Sequence, residues 1–200
     1  MEARVKSHSL QAYASYFANN GLFVDLQALI SRQNNRLLTT PIRQSHTYQT
    51  KFNSTGYGIR SKSGFHLHSE QGFFLEPYVE LAMAYQKSQS YSINDTLVKD
   101  NGFRSVYGAV GSRFAYTWRY SNTHIRPYLD LAVGREFIDQ NTIHVDNETI
   151  QVPNDKYGLY SAIGLETSIN RTIKAYLHMS YEHKKSARLK TITAGVNYRW

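Results

Sequence analysis

The chain has 200 residues, a hydrophobic fraction of 41% and a mean hydropathy of −0.51. No window reaches about 18 consecutive apolar residues, which excludes a transmembrane helix but not a membrane barrel, whose alternating strands average to a polar composition. The net charge is +8 and cysteine is absent, which rules out disulfides and thiolate metal sites; with no basic block or nucleic-acid fold motif, no nucleic-acid partner is expected.

Residues 1–6 are polar and lack the apolar stretch of a signal peptide. An exported protein needs one, so on an envelope reading the chain is expected to be part of a longer protein. Leu10, Ala12, Ala14 and Tyr16 then mark one apolar strand face. The turn Asn19-Asn20-Gly21 carries the Asn-Gly hairpin signal and leads to Leu22, Val24, Leu26, Ala28 and Ile30. A polar stretch from Ser31 to Ser45 reads as a long loop. The next strand alternates through Tyr57, Ile59, Phe65 and Leu67, and after a short turn Phe73 to Tyr85 alternates again. Lys87 to Gly102 reads as a second long loop. Val106 to Tyr120 and Ile125 to Val133 are strands joined by a short turn near Ser121-Asn122. A third long loop covers Asp139 to Asp155, before strands at Tyr157 to Ile169 and Ile173 to Tyr181 joined at Asn170-Arg171. A basic loop, His183 to Lys190, precedes a last alternating strand ending on Trp200.

This predicts an all-β, antiparallel up-and-down transmembrane β-barrel, with about nine strands present and connections alternating short and long. Arg135, near a strand end, is the single charge on the faces read as apolar. The opposite faces carry Asp25, Arg60, Lys62, Glu76, Glu80, Arg113, Arg119, Arg126, Asp130, Glu136, Glu166, Lys174 and Glu182, which are expected to face a wet lumen, with Glu76, Glu80 and Asp130 on one wall with Arg113, Arg119 and Arg126 of neighbouring strands. Alternation alone does not distinguish inside from outside; the loop pattern and the final strand carry that choice. Phe73, Trp118 and Tyr120 gather at the short-turn end and Tyr85, Tyr157 and Tyr181 at the long-loop end, as two interfacial girdles would. Gly195, Tyr198 and Trp200 fit an exposed-strand signal for barrel insertion, read by backbone pairing and alternate side chains.

Residues 72–85, reading GFFLEPYVELAMAY, resemble a strand of autotransporter translocator barrels of the pertactin-like group. Ser7 to Asn34, Arg126 to Phe137 and Thr193 to Trp200 resemble further strands of that family in the same order. The resemblance implies residues 1–200 to be part of an outer-membrane barrel of about twelve strands. Its N-terminal strands, lumen helix and passenger would be missing. It also implies an anchor and exporter of a passenger to the surface of a Gram-negative bacterium. The partners implied are outer-membrane lipid and lipopolysaccharide, the barrel-assembly machinery and the chain's own passenger.

No catalytic, cofactor or metal site is expected. There is no nucleotide loop or nucleophile elbow. His66 and His68 share a strand face without a third ligand, and Glu76 and Glu80 are too far apart along a strand to act as a dyad. Two other readings remain: another outer-membrane barrel, porin-like or adhesin-like, and a soluble ligand-binding barrel. The soluble reading requires Leu129, Leu131, Leu177 and Met179 to point into a dry core; the membrane reading turns them outward.

Overall fold

The computed structural model describes residues 2–39, 48–87, 89–93, 96–169 and 172–198. Asn170, Arg171 and Trp200 lie outside them. In chain order the strands are β1 (Glu2–Phe17), β2 (Leu22–Thr39), β3 (Tyr48–Phe65), β4 (Leu67–His68) and β5 (Phe73–Gln86). There follow β6 (Gln89–Ile93), β7 (Thr96–Asp100), β8 (Phe103–Tyr116), β9 (Trp118–Tyr120) and β10 (Thr123–Glu136). The last are β11 (Gln140–Val145), β12 (Glu148–Pro153), β13 (Tyr157–Ile169), β14 (Ile173–Lys184) and β15 (Arg188–Tyr198).

Nine of them form one antiparallel meander, β1-β2-β3-β5-β8-β10-β13-β14-β15. The short β4 pairs with β5 and the short β9 with β10, each prolonging the strand before it. The two interruptions have one cause. Proline has no N–H to give to a ladder, and Pro77 of β5 and Pro127 of β10 stand where β3 and β8 break off. At each gap the first N–H past the break takes a carbonyl outside the ladder: His66 donates to the Gly21 carbonyl at 2.8 Å and Thr117 to the Gly72 carbonyl at 2.9 Å. Gly21 and Gly72 close short turns at φ 87° and 96°. A Cβ there would meet the His66 oxygen at 2.6 Å and the Thr117 oxygen at 2.8 Å. One device, a glycine turn docked against a strand gap opposite a proline, is therefore used twice.

Two of the three expected loops are corrected outright and the third in part. β2 does not end at Ser31 but runs to Thr39, paired residue for residue with β3. This extension has no apolar stripe. Polar pairs such as Arg36 Nη2 donating to Gln49 Oε1 at 2.6 Å accompany its ladder. The stretches 87–102 and 139–155 hold β6, β7, β11 and β12, a second sheet in the order β12-β11-β7-β6. Its register aligns Tyr91, Val98, Val145, Ile143 and Ile150 on one face. Tyr91 stacks on Phe52 of β3 with centroids 4.3 Å apart. Asp146 joins the two hairpins: its Oδ1 accepts the Leu97 N–H at 2.7 Å and its own N–H donates to the Leu97 carbonyl at 2.8 Å.

The nine-stranded sheet is curved into a half-barrel. Side chains on one face reach across an intervening strand, which a flat sheet would not allow. Tyr78 of β5 donates to Asp130 of β10 at 2.8 Å, over β8. Tyr128 of β10 bonds His178 of β14 at 2.7 Å, over β13. The face carrying these residues is the concave one. Rings lie there over glycines directly opposite on the next strand, Tyr78 over Gly111, Tyr128 over Gly164 and Tyr176 over Gly195.

Candidate functional site

The concave wall is the candidate site, and β5, β8 and β10 build its centre. Alternation along β5 brings Phe74, Glu76, Tyr78 and Glu80 to that wall, and β10 adds Arg126, Tyr128, Asp130 and Glu136. The side chains form a connected polar network. Asp130, only 2% exposed, accepts from Tyr78 and from Arg113 Nη2 at 2.9 Å. Arg113 also lies over the Tyr128 ring, its guanidinium carbon 4.7 Å from the centroid. Glu76 lies 2.6 Å from Lys62 Nζ and 3.1 Å from His66 Nε2. Arg60 pairs with Glu80, and Arg126 approaches Glu166 at 3.8 Å while stacking on Phe74 at 4.1 Å.

The expected pairings are only partly those found. Asp130 does meet Arg113. Glu76 and Glu80 instead take Lys62 and Arg60 of β3 and His66 just beyond its end. Arg126 turns to Glu166 of β13. Arg119 is exposed on the three-residue β9 and is not drawn into this network. Glu136 is buried and serves the rim. It accepts from Ser105 Oγ at 2.6 Å, from the Val106 N–H at 2.7 Å and from the Ile138 N–H at 3.1 Å. The wall also holds Tyr78, Tyr107, Tyr128, Tyr160 and His178, which were not among the expected site residues although alternation sets them on this face. Their signal was there, since they share the parity of the charged residues on their own strands.

The convex face is apolar and uncovered. Leu129, Leu131, Leu177 and Met179 are 41%, 45%, 38% and 40% exposed. The soluble reading required them inside, and the structure reverses it. Phe73, Trp118, Tyr120, Tyr85, Tyr157 and Tyr181 are also exposed and stand near strand ends. Gly195 lies beneath Tyr176, where a Cβ would come within 2.5 Å of the ring. Its side-chain absence therefore has a packing reason. Tyr198 is exposed on β15, and Trp200 falls outside the described residues.

No group of three metal-ligating side chains occurs among the described residues. What this arrangement can do chemically is separate two media, with apolar surface outside and a hydrated, ion-paired wall inside.

The Autotransporter beta-domain family model matches residues 1–180. The probable autotransporter YpjA of Escherichia coli K12 is 25% identical over 199 residues, covering 97% of this chain and 13% of that protein. The pertactin autotransporter of Bordetella parapertussis is 27% identical over 193 residues, covering 94% of this chain and 21% of that protein. The chain thus spans between about an eighth and a fifth of the length of these relatives. Among solved structures, the beta domain of the Bordetella autotransporter BrkA superposes with a TM-score of 0.76 at 16% identity. That match covers 98% of this chain and 74% of the BrkA chain.

Proposed function

This chain belongs to the Autotransporter beta-domain family, and we propose that it lines the pore through which a passenger segment of its own polypeptide reaches the cell surface. The family places it in the bacterial outer membrane as translocator barrel. The observation that carries the proposal is the reversed polarity of a curved meander, apolar on its convex face and paired charges on its concave one. A polar, ion-paired wall gives a passing chain water and hydrogen-bond partners without a dry core to bury it.

The described strands leave β1 and β15 unpaired with one another. Open edges are not tolerated in lipid. About three further strands, bringing the total to the usual even count, are proposed to join them. The longer BrkA chain supports this. Within such a barrel, Glu76, Glu80, Arg113, Arg126, Asp130 and Glu136 would keep the pore wall hydrated, and the exposed aromatic residues would mark both interfaces. Gly195, Tyr198 and Trp200 are proposed to be read by the barrel-assembly machinery as an unpaired strand. No catalytic step is part of this role.

The test is a chimera in which this chain replaces the matching portion of the BrkA barrel beneath an epitope-tagged passenger. Outer-membrane insertion is followed by heat-dependent gel mobility, and display by protease shaving of intact cells. A heat-modifiable barrel with a shaved passenger is the expected result. A heat-modifiable barrel whose passenger stays protected in the periplasm would refute the export role.

A further inference from the structure

The convex face is not uniform along the strands. At the short-turn end this face carries Phe73, Trp118, Tyr120 and Thr123, all uncharged. At the opposite end the same face carries Arg104, Arg135, Arg188 and Lys190, all exposed. Register puts them there. Arg104 is the ladder partner of Tyr85, Arg135 of Tyr157, Arg188 of His183 and Lys190 of Tyr181. Aromatic surfaces steady two of the guanidinium groups. Arg135 lies 5.7 Å from the Phe137 centroid and 5.9 Å from that of Tyr157, and Arg104 lies 5.9 Å from that of Tyr85. Stacking over a ring fixes the guanidinium plane and leaves its N–H donors free at the edge.

Beneath this cationic band lie two shallow apolar grooves. One, of about 360 Å³, is walled by Ile59, Met83 and Val106 with Arg104 at its lip. The other, of about 550 Å³, runs past Leu131, Val133 and Leu159 to Tyr181 and His183, the partners of Lys190 and Arg188. Apolar grooves capped by fixed cations match an amphiphile with acyl chains and a phosphorylated head.

We infer that Arg104, Arg135, Arg188 and Lys190 form a binding band for the phosphorylated headgroups of lipids in the leaflet on the long-loop side. The inference rests on outer-membrane placement and is independent of passenger export. Charge complementarity selects the occupant: basic residues near a membrane surface attract anionic heads, and a guanidinium fork holds phosphate oxygens in pairs.

The experiment uses the full-length protein purified in neutral detergent. Native mass spectrometry compares retention of bis-phosphorylated lipid A with that of dephosphorylated lipid A. The wild type is expected to prefer the phosphorylated lipid by about tenfold or more. The combined variant R104Q/R135Q/R188Q/K190Q loses that preference, and the control K99Q/K156Q, which removes exposed charges outside the band, keeps it. Heat-dependent gel mobility confirms folding; should the combined variant not fold, R135Q alone and the charge-preserving R104K/R135K/R188K are read in its place, both with a weakened preference, the second keeping part of it because the charge remains while the guanidinium fork is lost. Retained preference in the combined variant, equal loss in the control, or displacement of the lipid by millimolar inorganic phosphate would each overturn the inference. So would a change in oligomeric state with lipid retention intact, which would assign the band to contact between copies of the chain.

Discussion

Asp130 shows how one residue ties the concave wall together. It is almost fully buried, and it takes a tyrosine hydroxyl from β5 and a guanidinium from β8. Such bonds to a charged acceptor are worth about 1.5–3 kcal/mol each when water is excluded, and less where the lumen is wet. Glycines make the close approach of strands and rings possible. Gly64 of β3 is the sharpest case: a Cβ there would stand 2.1 Å from the Pro77 carbonyl oxygen and 2.9 Å from the Tyr78 Cα. Both obstacles are backbone and cannot swing aside. At Gly58 on the same strand the nearest atom would be 3.7 Å away, an ordinary contact. Gly64→Ala is therefore expected to destabilise the complete barrel by about 2 kcal/mol or more, and Gly58→Ala by less than about 0.5 kcal/mol. Urea unfolding of barrels refolded into vesicles measures both, and equal midpoints for the two variants would contradict the packing argument.

At the scale of elements, the outer connections are held by discrete latches. Asp155, before β13, accepts both the N–H and the hydroxyl of Ser186, which lies between β14 and β15. Those two bonds hold its carboxyl below the ordinary value of 3.8. A carboxyl depressed on folding contributes its stabilisation above the unfolded value and loses it as pH falls through the folded one. The latch is thus expected closed at pH 5 and open well below pH 3.8. Amide exchange of Ser186, corrected for intrinsic rate, should show protection lost over that acid range, and Asp155→Asn should remove the dependence. The long strands were legible in the sequence because a face against lipid must be apolar at every second residue, and Leu129, Leu131 and Val133 obey that rule. The tip of β2 was not, because Gln33, Asn34, Asn35 and Arg36 stand in water and their ladder needs no apolar stripe. Nor were the partners of Glu76 and Glu80. Their ionic contacts lie on β3 and at His66 just beyond it; alternation puts Arg60 and Lys62 on the right face, but which acid meets which base depends on the stagger between strands, which alternation within one strand does not encode.

On the scale of the whole molecule, the side of the sheet that meets water decides what the fold can do. A soluble barrel and a membrane barrel share the period of two and differ only in the sign of the face. The convex face has an apolar middle, aromatic residues towards both ends and cations at one end, which is a profile of depth in a bilayer. Leu129 stands midway along β10, and Thr123, also on the convex side, begins that strand at the short-turn end. An arginine at the bilayer midplane costs about 2–4 kcal/mol, and near an interface about 0–1 kcal/mol. Leu129→Arg is therefore expected to fall in the first range and Thr123→Arg in the second, read as shifts in urea midpoint for the complete barrel refolded into phosphatidylcholine vesicles. The same pair in detergent micelles should differ much less, because a micelle deforms around a charge more readily than a bilayer does. A cost for Leu129→Arg no larger than that for Thr123→Arg in vesicles would mean that the convex face does not cross the hydrocarbon, and the placement of the concave wall as a pore would fall with it.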